Sequence, residues 1–386
     1  MGVTVLDAEV SANEAVVGIP LGYKQTEVGV IPEDWEVSSL GSIAPLQRGF
    51  DLPTVKIGQG FYPVVYSNGI MNYHHTAMVS GPGVVTGRSG TLGKVHYVDS
   101  DYWPHNTSLW VTHFNQNSPK FIFYLYQFIG FERFASGSGV PTLNRNDAHA
   151  FKLAIPPTKA EQEAIAEALS DADAYIESLE RLIAKKRNIK QGAMQELLTG
   201  KRRLTGFDGV WEVTRLEDVA HIKTGCRNNE NKLEDGEYPF FVRSEFVERI
   251  DSYSYDCEAI LIPGEGRIGD IFHYINGRFD VHQRVYAITQ FNHKISAKFI
   301  YLYLAQFFGV WAMQNTVKAT VDSLRLPTFQ NFKMEIPPTK AEQEAIAAIL
   351  SEMDEELEAL TTQLSKARQL KQGMMQQLLT GRIRLV

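Results

Sequence analysis

From Ile165 onward the apolar positions fall at alternating spacings of four and three: Ile165, Leu169, Ala172, Ile176, Leu179 and Ile183, with polar residues between them. The same rhythm returns at Ile346, Leu350, Met353, Leu357, Leu360 and Leu364. This period is that of a coiled-coil seam. Each run follows a short apolar stretch, FKLAI ending at Ile155 or FKMEI ending at Ile336, and then Pro-Pro. Proline is tolerated in the first turn of a helix, so the order predicted is strand, then helix. Each helix can extend to the glycine of LLTG, about forty residues or ~60 Å at 1.5 Å per residue. A helix of that length with one apolar stripe needs a partner, and the other copy is the nearest candidate.

The residues IPPTKAEQEAIA, Ile155 to Ala166, recur unchanged from Ile336 to Ala347, and KQG (Lys190, Lys371) and LLTG (Leu197, Leu378) follow in register. A bare heptad repeat would be read as a dimerisation device. Here more repeats: WEV at Trp35 and Trp211, YP at Tyr62 and Tyr238, an aromatic stretch at Phe121 and Phe299, Leu143 and Leu324 in polar loops, and Phe151 and Phe332. Two modules are duplicated, each a globular region followed by a long helix. In the middle, LLTGKRRLTGFDGVWEV leads from helix to globular region, whereas LLTGRIRLV stands near the C-terminus and GYKQTEVGVIPEDWEV near the start. These two segments read as one junction cut open. A circular arrangement with a pseudo-two-fold axis and antiparallel helices is expected. The predicted division is 1–20 a flexible tail, 21–154 a first globular region, 155–204 a helix, 205–335 a second globular region and 336–386 a second helix.

Gly/Asn/Ser loops between short β-branched and aromatic runs predict an α+β fold whose globular regions are rich in strands. The loops differ between the regions: PLQRGFDLPTVKIG, YSNGIMNYHH, VTGRSGTLGKV, PHNTSLW and SGSGVPTLNRND in the first, HIKTGCRNNENKL, VRSEFV, IPGEGRIGDIF, VHQRVYAI and VKATVDSLRL in the second. A constant frame carrying variable Arg, Asn, Gln, Ser and His resembles two versions of one reader. Such side chains fit base edges, Arg to guanine and Asn or Gln to adenine.

Charge complicates that picture, because the chain carries a net −7 and a pI near 5.9. Between Leu21 and Ala154 nine basic residues balance nine acidic ones, while residues 205–335 hold fourteen against eighteen. This chain alone is expected to bind DNA weakly, since non-specific affinity follows the phosphates neutralised. Two cysteines, Cys226 and Cys257, make no disulfide framework and are expected in the core of a cytoplasmic protein. No apolar run has the length of a membrane span, and the first twenty residues hold Asp7, Glu9 and Glu14 but no Lys or Arg, unlike a signal peptide.

Catalytic motifs are not found. GRSGTLGKV (Gly87 to Val95) is one residue too long for a P-loop and has Val95 where Ser or Thr holds magnesium. The IPPT pair lacks the Asn or Asp before Pro-Pro and the aromatic after it that amino-methyltransferases use on a flipped base. There is no Gly-rich cofactor loop, no HExxH and no paired-Cys metal pattern, and His74-His75 reads as a surface loop. No catalytic residue and no metal ligand is assigned.

IPP-x-x-x-EQ-x-x-I opening each long helix, LLTG closing it, KQT-E-x-G-x-IP-x-DWE near the start and two dissimilar globular regions together resemble the specificity subunits of type I restriction-modification systems. The resemblance runs from about Gly22 through nearly the whole chain. It implies two target recognition domains, each reading one half of a split double-stranded DNA sequence, held apart by an antiparallel pair of conserved helices. It further implies two methyltransferase subunits docked on that scaffold and motor-nuclease subunits for restriction. S-adenosylmethionine, ATP and magnesium would belong to those partners, with no cofactor here. Each copy of IPPTKAEQEAIA is then expected to face one of two equivalent partner subunits. The base contacts are not carried over from the family. On side-chain chemistry the candidates are Arg48, Ser67, Asn68, Arg88, Asn106, Asn144 and Arg145 in the first region, and Arg227, Asn228, Arg243, Arg267, Gln283, Arg284 and Arg325 in the second. The alternative reading is a coiled-coil scaffold whose globular arms bind protein.

Overall fold

The computed structural model describes residues 19–136, 141–316 and 323–385. The expected tail, except its last two residues, and parts of the SGSGVPTLNRND and VKATVDSLRL loops lie outside these. The chain forms two compact units, Met1–Leu179 with Gln363–Val386, and Glu180–Thr362. Each unit therefore holds one recognition region and one part of each long helix.

In the first unit a hairpin, β1 (Tyr23–Thr26) and β2 (Gly29–Pro32), precedes β3 (Glu36–Ser39), the short helix α1 (Leu40–Ile43) and β4 (Leu46–Arg48). Then come β5 (Tyr62–Tyr66), β6 (Gly69–His74), β7 (Gly83–Gly87), β8 (Val95–Val98), β9 (Trp103–Pro104) and β10 (Ser108–Val111). The helix α2 (Pro119–Ile129) starts where Ser118 caps it and Pro119 supplies a preset φ, and it ends at Gly130, whose φ of 68° suits glycine. After it follow β11 (Ala135–Ser136), β12 (Thr142–Leu143), α3 (Arg145–Ala150), β13 (Lys152–Ile155) and the long helix α4 (Lys159–Leu197). The strands assemble as a four-stranded sheet in the order β4-β10-β7-β8 and a three-stranded sheet β6-β5-β9. β3 pairs antiparallel with β13, Val37 opposite Ala154, and so ties the entry of the region to its exit. The core joins Leu40, Val84, Leu109, Phe121 and Leu125 to Ile165 and Leu169 of α4.

The second unit repeats this plan with longer strands. β14 (Glu212–Arg215), α5 (Leu216–Val219), β15 (His221–Thr224), β16 (Tyr238–Phe241), β17 (Glu248–Ile250), β18 (Tyr255–Pro263), β19 (His273–Val281) and β20 (Val285–Thr289) lead to α6 (Ala297–Gln314), α7 (Leu326–Gln330), β21 (Lys333–Ile336) and the long helix α8 (Lys340–Leu378). One six-stranded sheet, β15-β20-β18-β19-β16-β17, stands where the first unit has two, because β18 and β19 run nine residues each. β14 and β21 pair as β3 and β13 do.

Both long helices have 39 residues. They begin after the Pro-Pro pairs and not on them, because Thr158 and Thr339 cap them, each Oγ1 accepting the N–H of Glu161 (3.3 Å) or Glu342 (3.4 Å). Within each unit the helices are antiparallel. In the first, Lys371 meets Asp173 at 2.6 Å and Gln363 meets Tyr175. In the second, Lys186 meets Glu356 at 2.6 Å and Lys190 meets Asp354. The seam positions Ile165, Leu169, Leu179, Ile183, Ile346, Leu350 and Leu364 are buried. Burying each such side chain contributes on the order of 2 kcal/mol.

Candidate nucleic-acid interface

The first recognition region gathers its candidate residues on turns that are stitched together through their backbones. Phe50 donates to the Pro104 carbonyl (2.8 Å), Arg88 to Thr107 (2.9 Å), Leu143 to Arg88 (2.8 Å), Gly90 to Pro141 (3.3 Å) and His105 to Val65 (2.9 Å). Arg48 Nη2 sits 2.9 Å from Asp51 Oδ1, and Asn106 Nδ2 donates to the same oxygen. Arg88 Nη1 reaches the Asn106 carbonyl at 3.4 Å. Thus Arg48, Arg88 and Asn106 form one polar cluster. Asn68 is exposed on the β5–β6 turn. Ser67 is buried, its backbone carbonyl bonded to His96 at 3.3 Å, so it does not lie on the open surface where a base reader must be. Asn144 uses its side-chain oxygen to cap α3, accepting from Asn146 N–H at 3.1 Å, and Arg145 stands exposed beside it.

The second region uses the same stitches. Gly264 donates to Arg284 (2.8 Å), Leu324 to Gly264 (2.7 Å) and His282 to Phe241 (3.0 Å), matching Arg88, Leu143 and His105 of the first. Its side chains are paired differently. Arg243 Nη1 and Arg284 Nη1 share the Glu265 carboxylate at 3.3 and 3.0 Å. Arg267 is held by Glu245 at 2.6 Å and Asp270 at 3.5 Å. Arg227 donates at 2.9 Å to Asp280, a carboxylate with no solvent exposure, and at 3.1 Å to Ser252. A buried carboxylate requires that partner, which makes Arg227 chiefly a structural cation. Asn228 and Gln283 are exposed, as is Arg325, which makes no ion pair among the described residues.

Four residues of these clusters escape a reading of the sequence. Asp51 and Glu265 look like unfavourable charges on a DNA face, yet each ties two candidate readers together. His105 and His282 occupy one position in the two regions. In both, Nδ1 accepts the N–H two residues on, Thr107 at 3.3 Å and Arg284 at 3.0 Å. Burial holds both imidazoles below their usual range, and Arg243 and Arg284 add to this at His282. The signal was there: His is the residue that PHNTS and VHQRV share.

Other expectations need correction. His74 is not on a surface loop; it ends β6, buried with its ring 5.2 Å from that of Trp103. Cys226 is exposed and so is not a core residue, whereas Cys257, half-buried on β18, packs against the core around Phe241, Ala259 and Phe279. Gly87 to Val95 joins two antiparallel strands, and without a following helix it has no P-loop geometry.

The duplicated IPPTKAEQEAIA is a joint within each unit. Gln162 accepts the Ser118 N–H at the start of α2 (2.9 Å) and donates to Asn117 (2.8 Å) and the Pro156 carbonyl (3.0 Å). Gln343 does the same with Ser296 (2.8 Å) and Pro337 (3.1 Å). The neighbouring Glu342 takes Arg203 in a bidentate pair at 2.6 and 2.8 Å, while Arg203 also donates to the Gly209 carbonyl at 2.7 Å. Glu161 takes Arg384, whose other face holds Asp34 at 2.8 and 2.9 Å. Tyr23 donates to the Gly381 carbonyl at 3.0 Å. One joint is made by continuous chain, and the other by segments from near both ends, as a circular repeat requires. The Glu-Gln pair therefore faces inward and not toward a partner. The exposed residues of the motif include Thr158, Lys159, Ala160 and Glu163, and Thr339, Lys340, Ala341 and Glu344.

Among the described residues there is no cluster of metal-binding side chains, and no helix is long and apolar enough to cross a membrane.

Comparison with known proteins gives a consistent result. The family described as "Type I restriction modification DNA specificity domain" matches residues 32–186 and 209–367. The type I restriction enzyme MjaVIII specificity subunit of Methanocaldococcus jannaschii is 25% identical over 64% of this chain and 66% of its own length. A putative type I restriction enzyme MjaX specificity subunit of the same organism is 23% identical over 94% of this chain and 97% of that one. In fold, the chain is similar to the crystal structure of a type I restriction-modification system S subunit from M. genitalium, with a TM-score of 0.67 and 18% identity over 89% of this chain and 96% of that chain. Two domain matches that fall on the two halves of an internal repeat, with the stitched loops common to both halves, place the chain in the type I restriction-modification DNA specificity family.

Proposed function

We propose that each recognition region reads one half of a split DNA sequence, and that α4 and α8 set the number of unread base pairs between the halves. The observation that carries this is the pair of loop clusters. The same backbone hydrogen bonds recur in both regions, yet Asn106 and Thr107 stand where Gln283 and Arg284 stand in the other. Equal frames with unequal base-reading chemistry suit an asymmetric, two-part site.

Partner subunits fit what remains exposed. The Lys159–Glu163 surface is repeated unchanged at Lys340–Glu344, each copy carrying an exposed ion pair, Lys159 to Glu163 at 3.4 Å and Lys340 to Glu344 at 3.7 Å, of a kind that adds little to stability. Leu182 and Ile189, seven residues apart on α4 within the second unit, stay exposed, a spacing suited to another helix. Two methyltransferase subunits would occupy such sites. They and the motor-nuclease subunits would bring S-adenosylmethionine, ATP and magnesium, leaving this chain a non-catalytic, cytoplasmic subunit. They would also contribute positive charge toward the DNA phosphates.

The test is co-expression with the cognate methyltransferase subunit and mapping of methylated adenines in the host genome. A split motif is expected. Its absence would favour a scaffold that binds protein.

A further inference from the structure

We infer that His105 and His282 are the positioning residues of the two readers, each locking a tight turn whose two central side chains differ between the half-sites. The inference rests on the DNA-reading role and specifies where in each region the sequence is read.

The turns are alike in backbone. Ser108 N–H donates to the His105 carbonyl at 2.9 Å, and Val285 N–H to the His282 carbonyl at 2.9 Å, the closure of a four-residue turn. The ring then closes a second loop inside the first, its Nδ1 accepting the N–H of Thr107 or Arg284, and at His105 the Thr107 Oγ1 lies 3.0 Å from the same nitrogen. From outside, the third residue's carbonyl is held as well: Thr107 accepts from Arg88 at 2.9 Å, and Arg284 from Gly264 at 2.8 Å. The first residue is fixed through its own N–H to Val65 or Phe241. The His105 ring is also packed against Tyr66, with centroids 4.2 Å apart.

A turn held at this many points has little freedom left in its backbone. Its second and third side chains, Asn106 and Thr107 or Gln283 and Arg284, are then presented from a backbone whose ordering entropy is already lost before DNA arrives. A 1 Å shift in such a turn would break the bidentate geometry on which base discrimination depends. Histidine suits the place because its neutral ring offers an acceptor at Nδ1. Asparagine puts its Oδ1 at nearly the same distance from the backbone, as in an Asx turn, whereas glutamine reaches one atom too far and leucine has no acceptor.

The experiment uses the full chain in complex with its methyltransferase partner. Methylation is measured on duplexes carrying the mapped motif or single-base changes in either half. His105→Leu should lower discrimination about tenfold at positions of the first half-site and leave the second unchanged, and His282→Leu should do the reverse. His105→Asn and His282→Asn should keep discrimination within about twofold of the original. Thermal unfolding is followed in parallel. If a leucine variant fails to fold, Asn is compared with Gln at the same position, and Asn should retain the half-site that Gln loses. Unchanged discrimination in the leucine variants, equal behaviour of Asn and Gln, or loss of both half-sites together would each overturn the positioning role. An original complex that methylates no split motif would instead overturn the DNA-reading role, and this inference with it.

Discussion

Arg384 lies against Glu161, Nη2 to Oε2 at 2.8 Å, and in doing so neutralises a carboxylate whose side chain is only 2% exposed. Arg384→Ala would leave that charge buried without a partner. The expected cost is about 3 kcal/mol in the first unit, the usual penalty for breaking a buried pair from one side. Arg203→Ala should act likewise on the second unit through Glu342. Chemical denaturation of the full chain, followed by segment-resolved hydrogen exchange, checks both; an effect under about 0.5 kcal/mol would make the joint dispensable.

Glu265 restrains two arginines, and Asp51 restrains Arg48 together with Asn106. Glu265→Gln should free Arg243 and Arg284, tighten binding to unrelated DNA and steepen its salt dependence by roughly one phosphate contact. Discrimination at the second half-site should fall. Binding of the methyltransferase complex to specific and unrelated duplexes across a salt series measures both. A slope that stays flat would remove the carboxylate from the interface.

Acid should weaken the first unit before the second. Burial depresses His96, His105 and His149 in the first unit and His282 in the second, so the folded state binds fewer protons than the unfolded one. Their contribution is fully present above the unfolded imidazole value of ~6.5 and is lost as pH falls from there toward the lower folded values. Asp34 acts in a separate, more acidic window. Its hydrogen bond from Arg384 lowers its pKa, so that contribution disappears only below the ordinary aspartate range. Hydrogen exchange at pH 7.5 and 5.5 should show the larger loss of protection in residues 40–155; equal loss in both units contradicts the account.

The helices offer a test of spacing. One heptad added after Leu179 and one after Leu360 keeps the apolar stripe in phase and adds about 10 Å at 1.5 Å per residue. The unread gap should grow by about three base pairs, with unchanged bases on either side, at ~3.4 Å per pair. Activity should drop unless the duplex or scaffold twists, because three base pairs also turn one half-site by roughly a quarter to a third of a turn. A single insertion should be worse, since it exposes seam positions. Mapping methylated motifs in cells carrying each variant decides; an active double insertion with the original gap would separate the helices from the spacing.

Much of this architecture is legible in the sequence because it is periodic. The seam from Ile165 to Ile183 announces a helix by spacing alone, and FKLAI followed by Pro-Pro announces the strand before it. The clusters are less legible because their partners are distant in sequence. Arg227 meets Asp280 and Arg203 meets Glu342 only after the chain has folded back on itself. Thr158 caps the helix, but Glu161 turns away to Arg384, which no local rule anticipates. His105 stands among residues that differ between the two regions, so its constancy with His282 has no periodic or local pattern to mark it.

The division of the long helices between units has a consequence for how a nascent chain acquires its structure. The second unit ends at Thr362, whereas the first needs Gln363 onward. The region synthesised first must therefore wait for the later one, with Ile165 and Leu169 lacking the cover that Leu378 and Leu379 supply. A released chain truncated just beyond Thr362 should display a protease-resistant second unit beside a first unit that is still cut readily.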